Sequence, residues 1–408
     1  MNTRIRLTLM NFLQYAVWGA WLISLGAYLG NTLKFDGLQI GSFFATMGIA
    51  SLFMPAVMGI IADRWIPAQR LLGLCHLFAA GFITLAATRT DYNSLYTLVL
   101  LSVMFYMPTI ALSNSVAYNA LEKAGLDTVT HFPPIRVWGT VGFICAMWVV
   151  DLGKMGLSAT QLYFSATLGL ILGLYSFTLP NCPINRSGGG KSIVDLLGLR
   201  AFALFKQRKM AIFFIFSMLL GMSLQITNAF ADGYIKSFGD TGIHGAKYLG
   251  TFGVEHSTIL ISLSQISETL CILLIPFFLK RFGIKRVMLI AMFAWVLRFA
   301  LLGAGNPGPG VWMFILSMIV YGVAFDFFNI SGSLFVEKET SAAIRSSAQG
   351  VFMIMTNGLG ALIGSYLAGW VVNHYGWPLS WYLFAGFSLV VAIVFAVIFK
   401  YKHDPNRI

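Results

Sequence analysis

Charge is what this chain has least of: Asp, Glu, Lys and Arg together make up 10% of its 408 residues. Soluble globular chains carry roughly 25%, so the deficit excludes an ordinary soluble domain. Cysteine is also scarce. Cys75, Cys145, Cys182 and Cys271 include no CxxC pair and three lie within apolar runs, so they read as small packing residues and say little about redox compartment. No HExxH, no GxSxG and no paired His-carboxylate spacing occurs, so the nucleophile or metal set that an intramembrane enzyme needs is missing. His76, His244 and His256 build no proton relay. Gly190-Lys191-Ser192 resembles the end of a phosphate-binding loop, yet Asn185 stands where the first glycine belongs and no buried strand precedes it, which argues against ATP hydrolysis. The first apolar run is too long for a signal-peptide core and no small-residue cleavage site follows. A sensor would append a signalling domain, for which the chain has no room.

What is present is grease. Hydrophobic residues reach 58%, aromatics 15% and mean hydropathy +0.78. Windows of about 19 residues pick out twelve runs, near 7–30, 37–61, 71–88, 94–120, 132–150, 160–180, 210–235, 257–279, 286–304, 310–336, 347–373 and 380–400. Runs of this length with short connections suit helices. Barrel strands would be about ten residues each and would alternate apolar with polar. The expected fold is an all-α membrane protein of twelve transmembrane helices.

Lys and Arg fix its orientation. With both termini cytoplasmic, 20 of the 27 basic residues lie in inner segments and 5 in outer ones, leaving Arg136 and Arg298 within spans. The positive-inside rule therefore places both termini inside. The net charge of +12 is scattered over short loops facing anionic headgroups, so it implies a lipid bilayer partner and no nucleic acid.

The longest inner connection falls almost halfway along the chain and separates six runs from six. The expected domains are a bundle over 1–181, a cytoplasmic linker over 182–209 and a second bundle over 210–408. Within the linker, Ile193, Leu196 and Leu197 interleave with Lys191, Asp195 and Arg200, a pattern suited to a short amphipathic helix on the inner membrane surface. The inner loop after run 2 reads Gly59-Ile60-Ile61-Ala62-Asp63-Arg64-Trp65, and that after run 8 ends Arg281-Phe282-Gly283-Ile284-Lys285-Arg286. Together they resemble the major facilitator loop motif G-x-x-x-D-R-x-G-R-K-x, with its front half in one copy and its back half in the other.

Polar residues form stripes inside the runs. Run 5 carries Arg136, Thr140 and Phe143, run 7 carries Gln225 and Asn228, run 8 carries Gln265 and Glu268, and run 10 carries Tyr321, Phe325, Asp326 and Asn329. Each set repeats at three- or four-residue spacing, hence on one helix face. Run 1 adds Gln14, Trp18 and Trp21, and run 4 adds Asn114 and Tyr118 after Pro108. Amides and hydroxyls also glue membrane helices, at about 0.6 kcal/mol each. Four stripes with two acids, each acid costing roughly 2.5–3.5 kcal/mol near a membrane centre, instead suggest a cavity. Its donors, acceptors and rings suit a small, planar, polyhydroxylated molecule.

Four stretches then carry a family resemblance: Phe132-Pro133-Pro134-Ile135-Arg136-Val137-Trp138-Gly139-Thr140-Val141-Gly142-Phe143, Leu224-Gln225-Ile226-Thr227-Asn228, Ser264-Gln265-Ile266-Ser267-Glu268-Thr269, and 321–333, which begins Tyr321-Gly322-Val323-Ala324-Phe325-Asp326. They resemble the bacterial nucleoside:proton symporters of the major facilitator superfamily, over nearly the whole chain. The resemblance implies two six-helix bundles, nucleoside uptake driven by the proton gradient across the bacterial inner membrane, a site between the halves, and function as a monomer with no cofactor beyond the coupling proton. It assigns Arg136, Thr140, Phe143, Gln225, Asn228, Gln265, Glu268, Tyr321 and Phe325 to nucleoside contact and Asp326 to proton coupling. A sugar or oligosaccharide symporter, which shares the Arg-x-Trp-Gly stretch, is the alternative.

The chemistry of the acids agrees and leaves their division open. Asp326 sits among Phe325, Phe327 and Phe328, where a protonated, neutral acid crosses the membrane cheaply. Glu268 either stays ionised for ribose hydroxyls or shares the proton as a coupled pair. Arg136 is expected barely a turn from the inner end of its run, and Arg298, towards an outer end, reads as structural or snorkelling.

Overall fold

The computed structural model describes residues 2–184, 199–244, 246–341 and 344–401, and among these it contains helices and no strand. Among the described residues nine helices are long and apolar enough to cross a membrane. One of them, Ser257–Ala304, has 48 residues, about 72 Å of helix and twice a membrane's need. It is two spans, because Gly283 breaks it at φ 75°, ψ 166°. This left-handed region favours glycine, which has no Cβ to clash. Two more helices, Thr3–Gly19 and Thr160–Ser176, have 17 residues each and complete the twelve.

In chain order the spans are α1 (Thr3–Gly19), α2 (Gly37–Arg64), α3 (Ala68–Ala86), α4 (Tyr92–Lys123), α5 (Thr128–Leu152), α6 (Thr160–Ser176), α7 (Arg208–Ser237), α8 (257–282), α9 (284–304), α10 (Val311–Glu339), α11 (Ser347–Tyr375) and α12 (Leu379–Ile398). The chain divides into two compact units, Met1–Phe35 with Thr46–Leu196, and Asp36–Ala45 with Leu197–Ile408. The residues 185–198, on which most of the amphipathic-helix expectation rests, lie outside the described residues. Leu199–Lys206 forms a 3-10 helix.

Several spans differ from the hydropathy windows for identifiable reasons. Run 1 is not one straight helix. After Gly19 the chain turns irregularly through Ala20–Ser24 and resumes at Leu25, and Trp21, Leu22 and Leu25 still donate their backbone N–H groups to Trp18 and Trp21 carbonyls. Non-helical backbone at membrane depth survives where its polar groups are satisfied and buried in protein, and Ala20–Ser24 is buried. The α5 helix begins at Thr128 because Asp127 caps it, accepting the Thr130 backbone N–H at 2.9 Å and satisfying an otherwise orphaned donor. Arg136 is therefore two turns into the helix. In the same way Asp91 caps α4 through the Ser94 N–H, and α4 continues through Pro108.

The two units are packed from different materials. The first unit's core joins aliphatic and methionine side chains of α1 to α6, among them Leu7, Met10, Met54, Leu72, Val116 and Leu172. The second is aromatic: Phe213 of α7 lies 4.7 to 6.4 Å from the rings of Phe335, Phe352 and Phe328, and Trp381 of α12 stacks on Phe299 of α9 at 6.0 Å. At the α10 terminus Glu339 pairs with Lys209 at 2.6 Å.

Candidate substrate and proton site

In the first unit the site residues are presented by α5 against α1. The two helices approach closely because a Cβ at Gly142 would fall on the Phe12 backbone. Small residues allow such contact where no hydrophobic effect drives helices together. The Arg136 guanidinium then stacks on Tyr15, its Cζ 4.0 Å from the ring centroid. Arg136 is half-buried and held by this ring, so it does not snorkel from the helix end. Phe143, one face further along, is buried and meets Trp18 edge-on at 6.3 Å and 86°. Thr140 lies between them, half-buried, with no side-chain hydrogen bond to another described residue.

Behind Tyr15 and Trp18 lies a buried polar network that sequence reasoning missed as a unit. The Gln14 amide donates to Thr109 Oγ1 at 2.7 Å, and its Oε1 meets His76 Nε2 at 2.8 Å. The Tyr106 hydroxyl donates to the Gln14 carbonyl at 2.8 Å, and its ring lies 5.8 Å from Trp18. Gln14 and His76 are fully buried. Their pairing meets the rule that buried polar groups must be hydrogen-bonded, and it braces α1 against α3 and α4. Of these residues only Gln14, with Trp18 and Trp21 near it on run 1, stood out in the sequence.

The second unit brings its residues together on α7, α8 and α10. On α7 the Asn228 amide reaches Gln225 Oε1 at 3.4 Å, and Gln225 is buried. A glycine, Gly322, again permits close approach, here of α10 to α8 at Ser267. Next to this crossing Glu268 and Asp326 lie close enough to act on one another through their charges, and both act on Tyr321. Asp326 is 4% exposed and its Oδ2 is buried without a hydrogen-bond partner; Gln265 Oε1 is in the same condition. Glu268 is half-buried and has a partner of its own. Tyr321 and Phe325 stack in parallel, 5.6 Å apart at 5°. The structure thus couples Glu268, Asp326, Tyr321 and Phe325, and separately Gln225 with Asn228.

Of the two expectations for Arg298, structural or snorkelling, the structure shows the first. Arg298 is 2% exposed and donates to the Ser317 carbonyl at 2.6 Å, so it is anchored in the bundle and does not snorkel. Asp232 was also missed: it is buried in the C-terminal part of α7, paired with Lys236 at 2.6 Å and accepting from Ser257 and Thr258. That cluster is satisfied and structural. Among the described residues no group of three or more His, Cys, Asp or Glu could hold a metal ion.

A bilayer-spanning helical protein with unpartnered amides, stacked rings and a buried Asp326 beside half-buried Glu268 has the parts of a solute carrier, and comparison with known proteins identifies which kind. The family model for the nucleoside H+ symporters matches residues 1–404. This chain belongs to that family. It is 50% identical to the nucleoside permease NupG of Escherichia coli (strain K12) over 410 residues, 99% of this chain and 97% of the relative. It is also 50% identical to the xanthosine permease of the same organism over 415 residues, covering 100% and 98%. The crystal structure of the nucleoside transporter NupG superimposes with a TM-score of 0.91 at 51% identity, over 98% of this chain and 100% of that one. The fold is that of the major facilitator superfamily, and the chain is an integral membrane transporter of a proton-coupled family and no enzyme.

Proposed function

We propose that this protein imports nucleosides across the bacterial inner membrane by proton symport and alternating access, with both termini cytoplasmic. The observation that carries this reading is the acid pair: Asp326 is buried with one carboxylate oxygen unpartnered, beside half-buried Glu268 and Tyr321. A charged carboxylate in an apolar seam opposes reorientation of the empty carrier, whereas a protonated one does not. Asp326 takes the proton. Glu268 has the exposure to accept hydrogen bonds from ribose hydroxyls.

The nucleoside is held by Arg136, Thr140 and Phe143 from α5 and by Gln225, Asn228, Gln265, Glu268, Tyr321 and Phe325 from α7, α8 and α10. The amides and Thr140 match the donor and acceptor edges of a base and sugar, and Phe143, Tyr321 and Phe325 supply ring faces. The bundles 1–181 and 210–408, joined by the linker 182–209, act as the two moving bodies of one monomer. The partners are nucleosides and the lipid bilayer, without nucleic acid, and the coupling ion is the proton. Uptake of labelled uridine, adenosine and a disaccharide into vesicles, with and without an imposed proton gradient, tests this. Gradient-driven accumulation of the nucleosides is the expected result. Accumulation of the disaccharide without either nucleoside would replace the substrate assignment with the sugar alternative.

A further inference from the structure

Arg298 is a buried cation without an anion. Among the described residues no carboxylate pairs with it, and its Nε has no hydrogen-bond partner. Burying a charge in this condition is costly, and intramembrane charges persist where they serve a function. Its Nη1 donates to the Ser317 carbonyl at 2.6 Å and reaches Ser264 Oγ at 3.4 Å, while the Ser317 hydroxyl donates back to the Arg298 carbonyl at 3.0 Å. These bonds fix the guanidinium among α8, α9 and α10.

What the fixed cation meets is the face of Tyr321, with Cζ 4.6 Å from the ring centroid. Trp295, one turn earlier on α9, touches the same ring edge-on at 6.0 Å and 88°, and Phe325 lies parallel to it. The phenol ring is therefore held by three groups. Its hydroxyl takes no hydrogen bond from a described residue and is not among the polar atoms sealed from solvent. A held ring with a free hydroxyl is the arrangement of a group aimed at a ligand, since hydrogen bonds weaken steeply as their angle degrades. Arginine suits the holding role because its planar cation stacks on an aromatic face, which the compact ammonium of lysine does less well.

We infer that Arg298 is a positioning residue for Tyr321, setting through its cation-π contact the angle at which the phenolic hydroxyl meets a nucleoside, and so setting nucleoside affinity without touching the substrate. This rests on Tyr321 being a nucleoside contact. The test is a double-mutant cycle in proteoliposomes of the full chain, with KM and Vmax measured for uridine in Arg298→Met, Arg298→Lys, Tyr321→Phe and the Met/Phe double variant. Arg298→Met raises KM about tenfold with Vmax held within about twofold, Arg298→Lys recovers part of the loss, and Arg298→Met adds nothing once Tyr321 is Phe. Additive losses, or a fall in Vmax at constant KM, would overturn the inference, because a residue that only pins helices behaves that way. A raised KM in Tyr321→Phe with an unchanged KM in Arg298→Met overturns the inference alone. A silent Tyr321→Phe overturns both it and the placement of Tyr321 at the substrate. If Arg298→Met does not insert, Arg298→Lys decides: an unchanged KM contradicts the inference.

Discussion

The two units each set an arginine against a tyrosine, in opposite roles. In the first, Arg136 belongs to the stripe proposed for substrate and Tyr15 supports it at 4.0 Å. In the second, Tyr321 belongs to the stripe and Arg298 supports it at 4.6 Å. One contact type thus orients a cation in one place and a phenol in the other. The units also differ in what lies beside that pair. The α5 stripe holds no acid, and behind it Gln14, His76, Tyr106 and Thr109 are joined in a hydrogen-bond network that leaves His76 Nδ1 open. The α8 and α10 stripes hold both acids and leave Asp326 Oδ2 and Gln265 Oε1 unpartnered. On the proposed reading, the first unit binds and the second both binds and couples.

The largest break in that comparison comes from Asp326→Asn. Gradient-driven accumulation of uridine should fall to simple equilibration, while exchange of labelled for unlabelled uridine persists, because binding remains and the protonation step is gone. Arg136→Ala should leave coupling intact and raise KM about a hundredfold, the scale of hydrogen bonds to a charged donor. Glu268→Gln sharpens the division between the acids: accumulation should continue with KM raised about tenfold. Loss of accumulation there would mean that the pair shares the proton. Smallest is Gln14→Leu, which leaves His76 Nε2 without a partner while Thr109 keeps its bond to the Tyr106 carbonyl, at a cost of about 1–3 kcal/mol. It should lower the melting temperature in detergent by roughly 3 °C, with little change in uridine KM.

Much of this was legible in the sequence because a membrane imposes it. Length and apolarity constrain the spans, and Gly283 already stood in the loop expected between α8 and α9. The four stripes named every proposed contact, because three- and four-residue spacing places residues on one face whatever the neighbours are. What hydropathy could not supply was depth and partner. Arg136 looked marginal because a window sees apolar residues and not the Asp127 cap that starts α5 at Thr128. Whether Arg298 was structural or snorkelling stayed open because its anchors, Ser264 and Ser317, lie on other helices. Tyr15 carried no signal, since the crossing of α1 over α5 that brings it to Arg136 depends on close approach at Gly142. The break after Gly19 was equally hidden, because buried backbone can turn without a polar mark in the sequence.

The central claim is that the second unit carries the proton, on Asp326. The direct measurement is luminal pH in proteoliposomes bearing a trapped indicator, with no imposed gradient, as uridine is added outside. The native chain should acidify the lumen in step with uridine entry, and Asp326→Asn should admit uridine without acidification. Acidification that still tracks uridine entry in Asp326→Asn would contradict the account.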